Sequence, residues 1–276
     1  MILYNISCAD GDFLISPFLC YIVIMERILE DLKNRKYLKG IKIEFESEVV
    51  SDCELAYLSN LLIGLDIDLT VKLGGATSIL DIKKARDLKA KSIVAPMVES
   101  SYTVKKFLNA IKAIYGNMFP NLYLNIETQN AFTYLYEIFE VAQDIKGVVL
   151  GRSDLTASLN MNKSTVNCQK IEDYASMLQG FCHTNAKELV IGGNVDLMSL
   201  PFFKRMIFLS AFETKKVIFD AALLKDNTAF EENLLLAFKF EYEWIKNKEY
   251  ITKEDELRIQ AINQKIEVLD YYKNLC

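Results

Sequence analysis

The 276-residue sequence has no excess of positive charge, no CxxC pair of cysteines and no apolar run long enough to cross a membrane. With 32 Lys+Arg against 37 Asp+Glu the net charge is −5, which argues against nucleic acid as a partner. The spacing of the six cysteines fits neither a zinc site nor a disulfide framework, so we expect a cytoplasmic protein. The apolar run at 13–25 is too short for a membrane span and leads into a helical pattern, so we expect no membrane partner.

The composition is that of a folded protein, because 51% of the residues are apolar and 25% are charged. Short strand-like runs recur, and most are followed by a helical pattern. The runs are Ile41–Glu46, Asp68–Leu73, Ser92–Ala95, Leu122–Glu127, Gly147–Leu150, Leu189–Gly192, Met206–Leu209 and Val217–Phe219. Eight such runs in alternation with helices predict a closed (β/α)8 TIM barrel. An open doubly wound sheet is the alternative, although the Gly-rich phosphate fingerprint typical of that fold is missing after the first strand.

The pattern predicts one domain over residues 1–276. An N-terminal helix precedes a barrel at about 40–248, and a helical extension follows at about 250–276. Two amphipathic helices are expected at 233–248 and 254–275. One of them serves as the eighth barrel helix, and the other either caps the barrel or packs on a neighbouring subunit.

Strand parity predicts which side chains point into the barrel, because neighbours along a strand face opposite sides. The polar faces of three strands carry Lys42, Glu44, Glu46, Lys72, Tyr123, Asn125 and Glu127. These faces point inward, and most of their charges lie near the carboxyl ends of the strands, where barrel enzymes build active sites. Lys42 lies at a strand start, which favours a structural ion pair with Glu44 or Glu46.

Two linked motifs carry a resemblance to a known family. Asn125-Ile126-Glu127-Thr128 is followed, after a helix, by Gly151-Arg152-Ser153-Asp154-Leu155, and a third similar run lies upstream at 94–100. Together they resemble the HpcH/HpaI aldolase and citrate lyase β-subunit family over roughly residues 40–195. The resemblance implies a phosphoenolpyruvate/pyruvate-type barrel that makes or breaks a carbon–carbon bond next to a 2-oxo acid or acyl-CoA. It also implies a homo-oligomer, because such barrels commonly assemble as trimers or hexamers.

The resemblance assigns a metal site to two carboxylates. Glu127 and Asp154 match the pair that holds a divalent metal in the family. They lie 154 − 127 = 27 residues apart, which is about one βα repeat, so adjacent strand ends would bring them together. Oxygen ligands of this kind suit Mg²⁺, with Mn²⁺ as a substitute. Such a metal would polarise the 2-oxo group of the substrate and stabilise an enolate.

Three further site residues depart from the family pattern. Lys72 stands where the family usually has an arginine beside the enolate oxygen, and it supplies charge without a planar fork. Asn125 stands where the aldolase branch has a glutamine, and it could bond to the substrate or to a metal-bound water. Arg152 replaces a proline, and it either reaches a substrate carboxylate or phosphate or pairs with a neighbouring acid.

The acid–base histidine of the aldolase branch has no match. His183, the one histidine, lies in a helical pattern before the sixth strand, so the role falls to Glu46, Glu48 or water. We therefore expect a Mg²⁺-dependent lyase or aldolase acting on a small 2-oxo acid. The alternatives are a citrate-lyase-like enzyme acting on an acyl thioester and a non-catalytic barrel that binds a ligand as a subunit.

Overall fold

Eight strands close into a barrel in the computed structural model of the chain, which describes residues 17–273. The strands are β1 Leu38–Glu44, β2 Leu69–Lys72, β3 Ser92–Ala95, β4 Asn121–Ile126, β5 Gly147–Gly151, β6 Glu188–Gly192, β7 Ala211–Glu213 and β8 Val217–Asp220. The helices are α1 Pro17–Asn34, α2 Asp52–Gly64, α3 Ile79–Asp87, α4 Ser101–Tyr115, α5 Gln129–Thr133, α6 Leu135–Glu140, α7 Arg152–Ser158, α8 Gln169–Thr184, α9 Leu200–Arg205, α10 Asn227–Lys246 and α11 Lys253–Lys273. The predicted TIM-type barrel, with its N-terminal helix and C-terminal helices, is confirmed.

The barrel departs from a regular alternation at its last strand. From β1 to β7 all neighbouring strands are parallel, whereas β8 runs antiparallel to both β7 and β1. The residues between Glu213 and Val217 form a tight turn in place of a crossover helix. We call the end of the barrel where β1 to β7 finish the mouth, and the opposite end the floor.

The seventh predicted strand was placed wrongly. Met206–Leu209 is a loop between α9 and β7, in which Met206 is buried while Ile207 is 75% exposed. An apolar run therefore resembled a strand without being one. The true strand has only three residues, at Ala211–Glu213.

Strand parity is confirmed by burial. Ile41 and Ile43 of β1 belong to the large apolar core between strands and helices. Lys42 and Glu44 of the same strand line a cavity inside the mouth. Four small side chains that fill the barrel interior form a separate apolar cluster, namely Val94, Val149, Val190 and Ala211. Polar groups at the mouth are thus held above an apolar plug.

The two C-terminal helices contribute side chains to the mouth. α10 packs against α1 and α11, and Glu241 in its second half lines the mouth cavity. Just before α11, the backbone N–H of Glu249 donates to Glu54 Oε1 of α2 at 2.7 Å. Further along α11, Lys265 Nζ donates to the carbonyl oxygen of Val195, which follows β6, at 3.0 Å. α11 therefore caps its own barrel, and packing of this helix on a neighbouring subunit stays a prediction.

Two sequence expectations concern features outside the barrel. Among residues 17–273, no helix has both the length and the apolar character that a membrane crossing requires. The predicted apolar run at 13–25 begins outside the described residues and continues into α1. Cys53, Cys168 and Cys182 are free thiols.

Candidate functional site

A cavity of about 490 Å³ opens at the mouth of the barrel, a size typical of small-molecule sites. Thirteen charged side chains line it, and they come from β1, β2, β7, α7, the loops and both C-terminal helices. They are Lys42, Glu44, Glu46, Lys72, Glu127, Asp154, Lys163, Glu213, Lys215, Glu241, Glu254, Arg258 and Lys265. A cavity so rich in charge suits a small polar ligand, and five of the six predicted site residues line it.

Glu127 lies at the centre of the predicted site, directly after β4, and its side chain is almost fully buried. The backbone N–H of Met97 donates to Glu127 Oε1 at 3.1 Å, and Asn125 Nδ2 donates to Oε2 at 2.6 Å. Lys72 Nζ lies 3.6 Å from Oε1, too far for a good hydrogen bond. Glu127 is therefore oriented by hydrogen bonds but only weakly neutralised.

The surroundings of Glu127 favour its protonated form. Burial raises the pKa of Glu127 to about 7, and the charge of Asp154 adds to the increase while Lys72 opposes it. A nearby cation would stabilise the charged form of Glu127, because it would compensate for both the burial of the carboxylate and the negative charge of Asp154.

Asp154 reaches the same cavity from the next strand. β5 passes into α7 without a loop, and Asp154 lies in the first turn of that helix with its side chain exposed to the cavity. The predicted pairing of the two carboxylates depends on Gly151 at the end of β5. A Cβ atom on Gly151 would lie 2.9 Å from the Glu127 Cβ and would collide with the Glu127 carboxylate. Glycine is thus required for the close approach of the two strand ends.

The oxygen atoms around Glu127 fit a divalent metal such as Mg²⁺. Asn125 Oδ1 is buried and has no hydrogen-bond partner, so an oxygen ligand or acceptor next to Glu127 is left unused. Within residues 17–273 no cluster of three or more His, Cys, Asp or Glu is arranged to hold a metal. The oxygen donors that such a metal would find here are the carboxylates of Glu127 and Asp154, with the Asn125 amide oxygen beside Glu127. A small hard cation that keeps waters or substrate as its remaining ligands suits this set.

Lys72 and Glu46 form an ion pair that lines the same cavity as Glu127 and Asp154. Lys72 Nζ lies 2.7 Å from Glu46 Oε2, and it is also the cation nearest to Glu127. Burial alone would lower the pKa of Lys72, but the carboxylates of Glu127 and Glu44 outweigh burial and raise it. Lys72 therefore remains a charged ammonium group. It can bind a negatively charged oxygen but is poorly suited to act as an amine nucleophile.

The interpretation of Lys42 as a structural ion pair agrees with the structure. Lys42 Nζ lies 3.1 Å from Glu44 Oε1 and is hydrogen bonded to Glu213 at the end of β7. Burial opposes the charged forms, yet the attraction of Glu213 and Glu44 raises the pKa of Lys42. Likewise, Lys42 and Lys215 outweigh burial and hold the pKa of Glu44 well below its usual range. In this cluster the positive charges of Lys42 and Lys215 compensate the negative charges of Glu44 and Glu213.

Arg152 requires a correction, because it does not line the cavity and its side chain is fully buried. Its guanidinium donates to the carbonyl oxygens of Gly192 at 2.9 Å and Gly193 at 3.0 Å, and it lies over the rings of Phe202 and Phe203. Burial lowers the pKa of Arg152 to about 9. The guanidinium is directed away from the substrate space and fixes the loop after β6, so Arg152 is a positioning residue.

One of the three acid–base candidates, Glu48, lies outside the cavity, and so does His183. Glu48 is buried in an ion pair with Lys216 and does not line it. His183 lies at the exposed carboxyl end of α8, where its ring stacks on Phe208 at 3.9 Å. Glu46 and water remain at the site.

Sequence reasoning missed the residues that close the far side of the cavity: Glu213, Lys215, Glu241, Arg258 and Lys265. Glu213 was missed because the seventh strand was placed several residues too early. The side chains on α11 had a weak signal, since Glu254, Arg258 and Lys265 follow the spacing i, i+4 and i+11 of one helix face.

Comparison with known proteins supports the resemblance to the HpcH/HpaI aldolase and citrate lyase family. Residues 69–179 match the family model described as HpcH/HpaI aldolase/citrate lyase, so the match includes Lys72, Asn125, Glu127 and Asp154. The structure of the HpcH/HpaI aldolase from Desulfitobacterium hafniense DCB-2 is similar, with a TM-score of 0.58 at 14% identity over 78% of this chain and 88% of that chain. An HpcH/HpaI aldolase/citrate lyase family protein from Burkholderia cenocepacia J2315 gives a TM-score of 0.57 at 12% identity, over 76% and 89% respectively.

At these identities, the two structures support the fold and leave the activity open. No curated protein matches the sequence. The family match extends from β2 to α8, the part of the barrel that holds both candidate metal ligands. The resemblance seen in the sequence motifs is thereby confirmed, and the chain carries the HpcH/HpaI aldolase/citrate lyase pattern on a TIM-type barrel.

Proposed function

We propose that the chain is a divalent-metal-dependent carbon–carbon lyase or aldolase that acts on a pyruvate-like 2-oxo acid. The family match already points to carbon–carbon lyases as a class. The proposal adds the metal, Mg²⁺ or Mn²⁺, and the 2-oxo acid. It rests on one observation above all: Glu127 is a buried, weakly neutralised carboxylate that faces Asp154 beside the unpartnered Asn125 Oδ1.

Glu127 and Asp154 would hold the metal, and Asn125 would orient Glu127 through its 2.6 Å hydrogen bond. A divalent cation bound there supplies Lewis-acid polarisation of a 2-oxo group and stabilises negative charge on its oxygen. The apolar plug, which includes Val149, places apolar side chains directly below the site. In such a site fixed charges act more strongly than they do in water.

Lys72 would stabilise negative charge on the substrate, and Glu46 would transfer protons. Lys72 is a fixed ammonium group at the end of β2, so it can stabilise a developing oxyanion at the carbon chain of the 2-oxo acid. Glu46 is one-third exposed and is bonded to Lys72, so it can exchange protons with solvent and act as the acid–base group. This arrangement replaces the missing histidine with a carboxylate whose orientation Lys72 fixes.

The first experiment measures thermal unfolding with Mg²⁺ or Mn²⁺, with and without oxalate, which imitates the enolate of pyruvate. A ligand that binds only the folded state raises the melting temperature. At a hundred times its Kd, it adds about 2.7 kcal/mol to the free energy of unfolding. We expect oxalate to stabilise the wild type only when metal is present, and we expect Glu127→Gln to remove that effect. The matched control is Glu188→Gln at the floor end of β6, which makes the same change far from the cavity.

The proposal fails if neither metal produces an oxalate-dependent shift in the wild type, or if Glu188→Gln removes the shift as completely as Glu127→Gln does. If binding is found, carbon–carbon cleavage is assayed with 4-hydroxy-2-oxo acids and with acyl thioesters, which distinguishes the aldolase from the citrate-lyase-like alternative. Binding without turnover of either class would favour the non-catalytic barrel.

A further inference from the structure

The cations of the mouth cavity fall into two groups according to their partners. Most are paired with carboxylates of the same cavity: Lys42 with Glu44 and Glu213, Lys72 with Glu46, Arg258 with Glu241, and Lys215 more weakly with Glu44 at 4.0 Å. Among the described residues, Lys163 and Lys265 line the cavity without a carboxylate within ion-pair distance. Neither ammonium group is compensated by a direct ion pair, although Asp196 and Glu241 attract Lys265 from a longer distance.

Lys265 differs from Lys163 in its surroundings. Lys163 is exposed, so water solvates its charge. Lys265 is partly buried on α11, with its ammonium group 5.2 Å from the centre of the Phe238 ring. Its Nζ donates to two neutral oxygens, Asn194 Oδ1 and the Val195 carbonyl, each at 3.0 Å. An ammonium group has three donors, so one N–H of Lys265 remains for a further acceptor in the cavity.

The cavity has room for a ligand larger than pyruvate. Its volume of about 490 Å³ lies within the roughly 300–1,000 Å³ of pockets that hold molecules of drug size. Glu127 and Asp154 line it from β4 and α7, whereas Lys265 lines it from the helix across the mouth. A substrate whose 2-oxo acid end lies at the carboxylate pair can therefore extend its distal end toward Lys265.

We propose that Lys265 determines substrate specificity by binding an anionic group on the distal part of the substrate, opposite the 2-oxo acid end. This inference rests on the proposed function, since it assumes that the 2-oxo acid binds at Glu127 and Asp154. The substrate class is then a 2-oxo acid with a second negative charge, which is either a carboxylate or a phosphate. Asn194 and Val195 hold the ammonium group in place before the ligand arrives.

The test compares two competitors of equal chain length in the presence of Mn²⁺, with Kd measured by calorimetry. 2-Oxoglutarate carries a distal carboxylate, and 2-oxopentanoate carries a methyl group in its place. We expect the wild type to bind 2-oxoglutarate at least about tenfold more tightly, because a hydrogen bond to a charged group contributes about 1.5–3 kcal/mol and each 1.4 kcal/mol is a factor of ten. Lys265→Met keeps the apolar stem and should lose this preference, whereas Lys265→Arg keeps the charge and should retain it.

Three controls separate the possible causes. Lys253→Met removes the same charge from an exposed position of the same helix, and the preference should persist in it. Oxalate has no distal group, so its metal-dependent binding should be unchanged in Lys265→Met. Coenzyme A carries phosphates and no 2-oxo acid. Binding of coenzyme A that depends on Lys265 would assign the distal anion to a phosphate. A Lys265-dependent preference for 2-oxoglutarate without coenzyme A binding would assign it to a second carboxylate.

The outcomes distinguish this inference from the proposed function. If oxalate does not bind to the wild type with either metal, the proposed function is wrong and the inference is lost with it. If oxalate binds but the wild type does not distinguish 2-oxoglutarate from 2-oxopentanoate, only the role of Lys265 is wrong. The same holds if the preference survives in Lys265→Met or disappears equally in Lys253→Met.

Discussion

The two sides of the mouth differ in how the negative charge of a buried carboxylate is compensated. On the side of β2 to β5, Glu127 is held by neutral donors and faces Asp154, so its negative charge is only weakly compensated. On the side of β7, β8 and β1, Glu213 is held by Lys42, and Lys42 is shared with Glu44. Both Glu127 and Glu213 follow the same rule of position, since each lies at the carboxyl end of a barrel strand.

The difference shows that position alone does not identify a metal or catalytic carboxylate. A buried carboxylate whose cation is already supplied by the chain is part of the scaffold. A buried carboxylate that lacks such a cation has a raised pKa, which marks it as a candidate for a functional site. We refer to the two regions as the open side, with Glu127 and Asp154, and the closed side, with Lys42, Glu44 and Glu213.

The largest loss of stability is expected from removing the shared cation of the closed side. Lys42→Met leaves the buried carboxylates of Glu44 and Glu213 without their shared cation. Removing one partner of a buried ion pair typically costs about 3–5 kcal/mol of the free energy of unfolding. Urea denaturation measures the loss, with exposed Lys39→Met of the same strand as the control. A loss below about 1 kcal/mol would mean that the closed side does not depend on this ion pair.

Arg152→Met is expected to have the next largest effect, of about 3 kcal/mol, and to change the loop after β6. The substitution removes a guanidinium that donates to the carbonyl oxygens of Gly192 and Gly193, and these buried acceptors then lose their partners. Urea denaturation gives the stability, and hydrogen exchange of the amides at 192–195 reports on the loop. If Arg152→Met were as stable as the wild type while binding of the 2-oxo acid was lost, a direct role in the substrate site would be restored.

Gly151→Ala sharpens the comparison because it disturbs only the open side. The new methyl group would push against the Glu127 carboxylate and separate it from Asp154. We expect metal-dependent oxalate binding to weaken at least about tenfold, with a smaller loss of stability of about 1–3 kcal/mol. Calorimetry with Mn²⁺ and oxalate measures the binding. Gly64→Ala, at a glycine with open space around its Cβ position, is the matched control and should leave the Kd unchanged.

The smallest expected effect is a pH slope in the metal-free protein. The pKa of Glu127 is raised from 4.5 to about 7, so between these values the folded state binds more protons than the unfolded state. Its contribution to the free energy of unfolding therefore decreases as pH rises through that window, by at most about 1.4 kcal/mol per pH unit. Glu127→Gln cannot titrate and should remove this part of the slope. Urea denaturation at pH 5, 6 and 7 with a chelator present checks it, and identical slopes in both proteins would contradict it.

The sequence predicted the barrel and most of the open side for a physical reason. Alternating apolar residues and short strand-helix repeats are local features, so β1 to β6 and their inward faces could be read directly. Glu127 and Lys72 follow from strand parity and from the rule that parallel strands finish at one end of the barrel, whereas Asp154 was assigned through the family resemblance. The motifs that suggested the family lie within residues 69–179, where the family match also lies.

The closed side and α11 could not be predicted in the same way. The tight turn after Glu213 contains Thr214-Lys215-Lys216, without the glycine or asparagine that commonly indicates a hairpin, so the reversal of β8 has no local signature. The role of Arg152 depends on whether its side chain turns toward the cavity or toward Phe202, which only the packing decides. The contacts of Lys265 with residues 194–195 join parts of the chain that are 70 positions apart.

The reversal of β8 decides where the chain ends. In a barrel of eight parallel strands, the last strand would finish at the mouth and a single following helix would carry the chain down to the floor. Here β8 runs from the mouth to the floor, and α10 returns to the mouth. α11 then lies across the mouth. Because β8 alone is reversed, α10 runs toward the mouth and α11 begins there. The direction of one four-residue strand thus places α11, with Glu254, Arg258 and Lys265, beside the mouth cavity, more than 90 residues along the chain from Glu127 and Asp154.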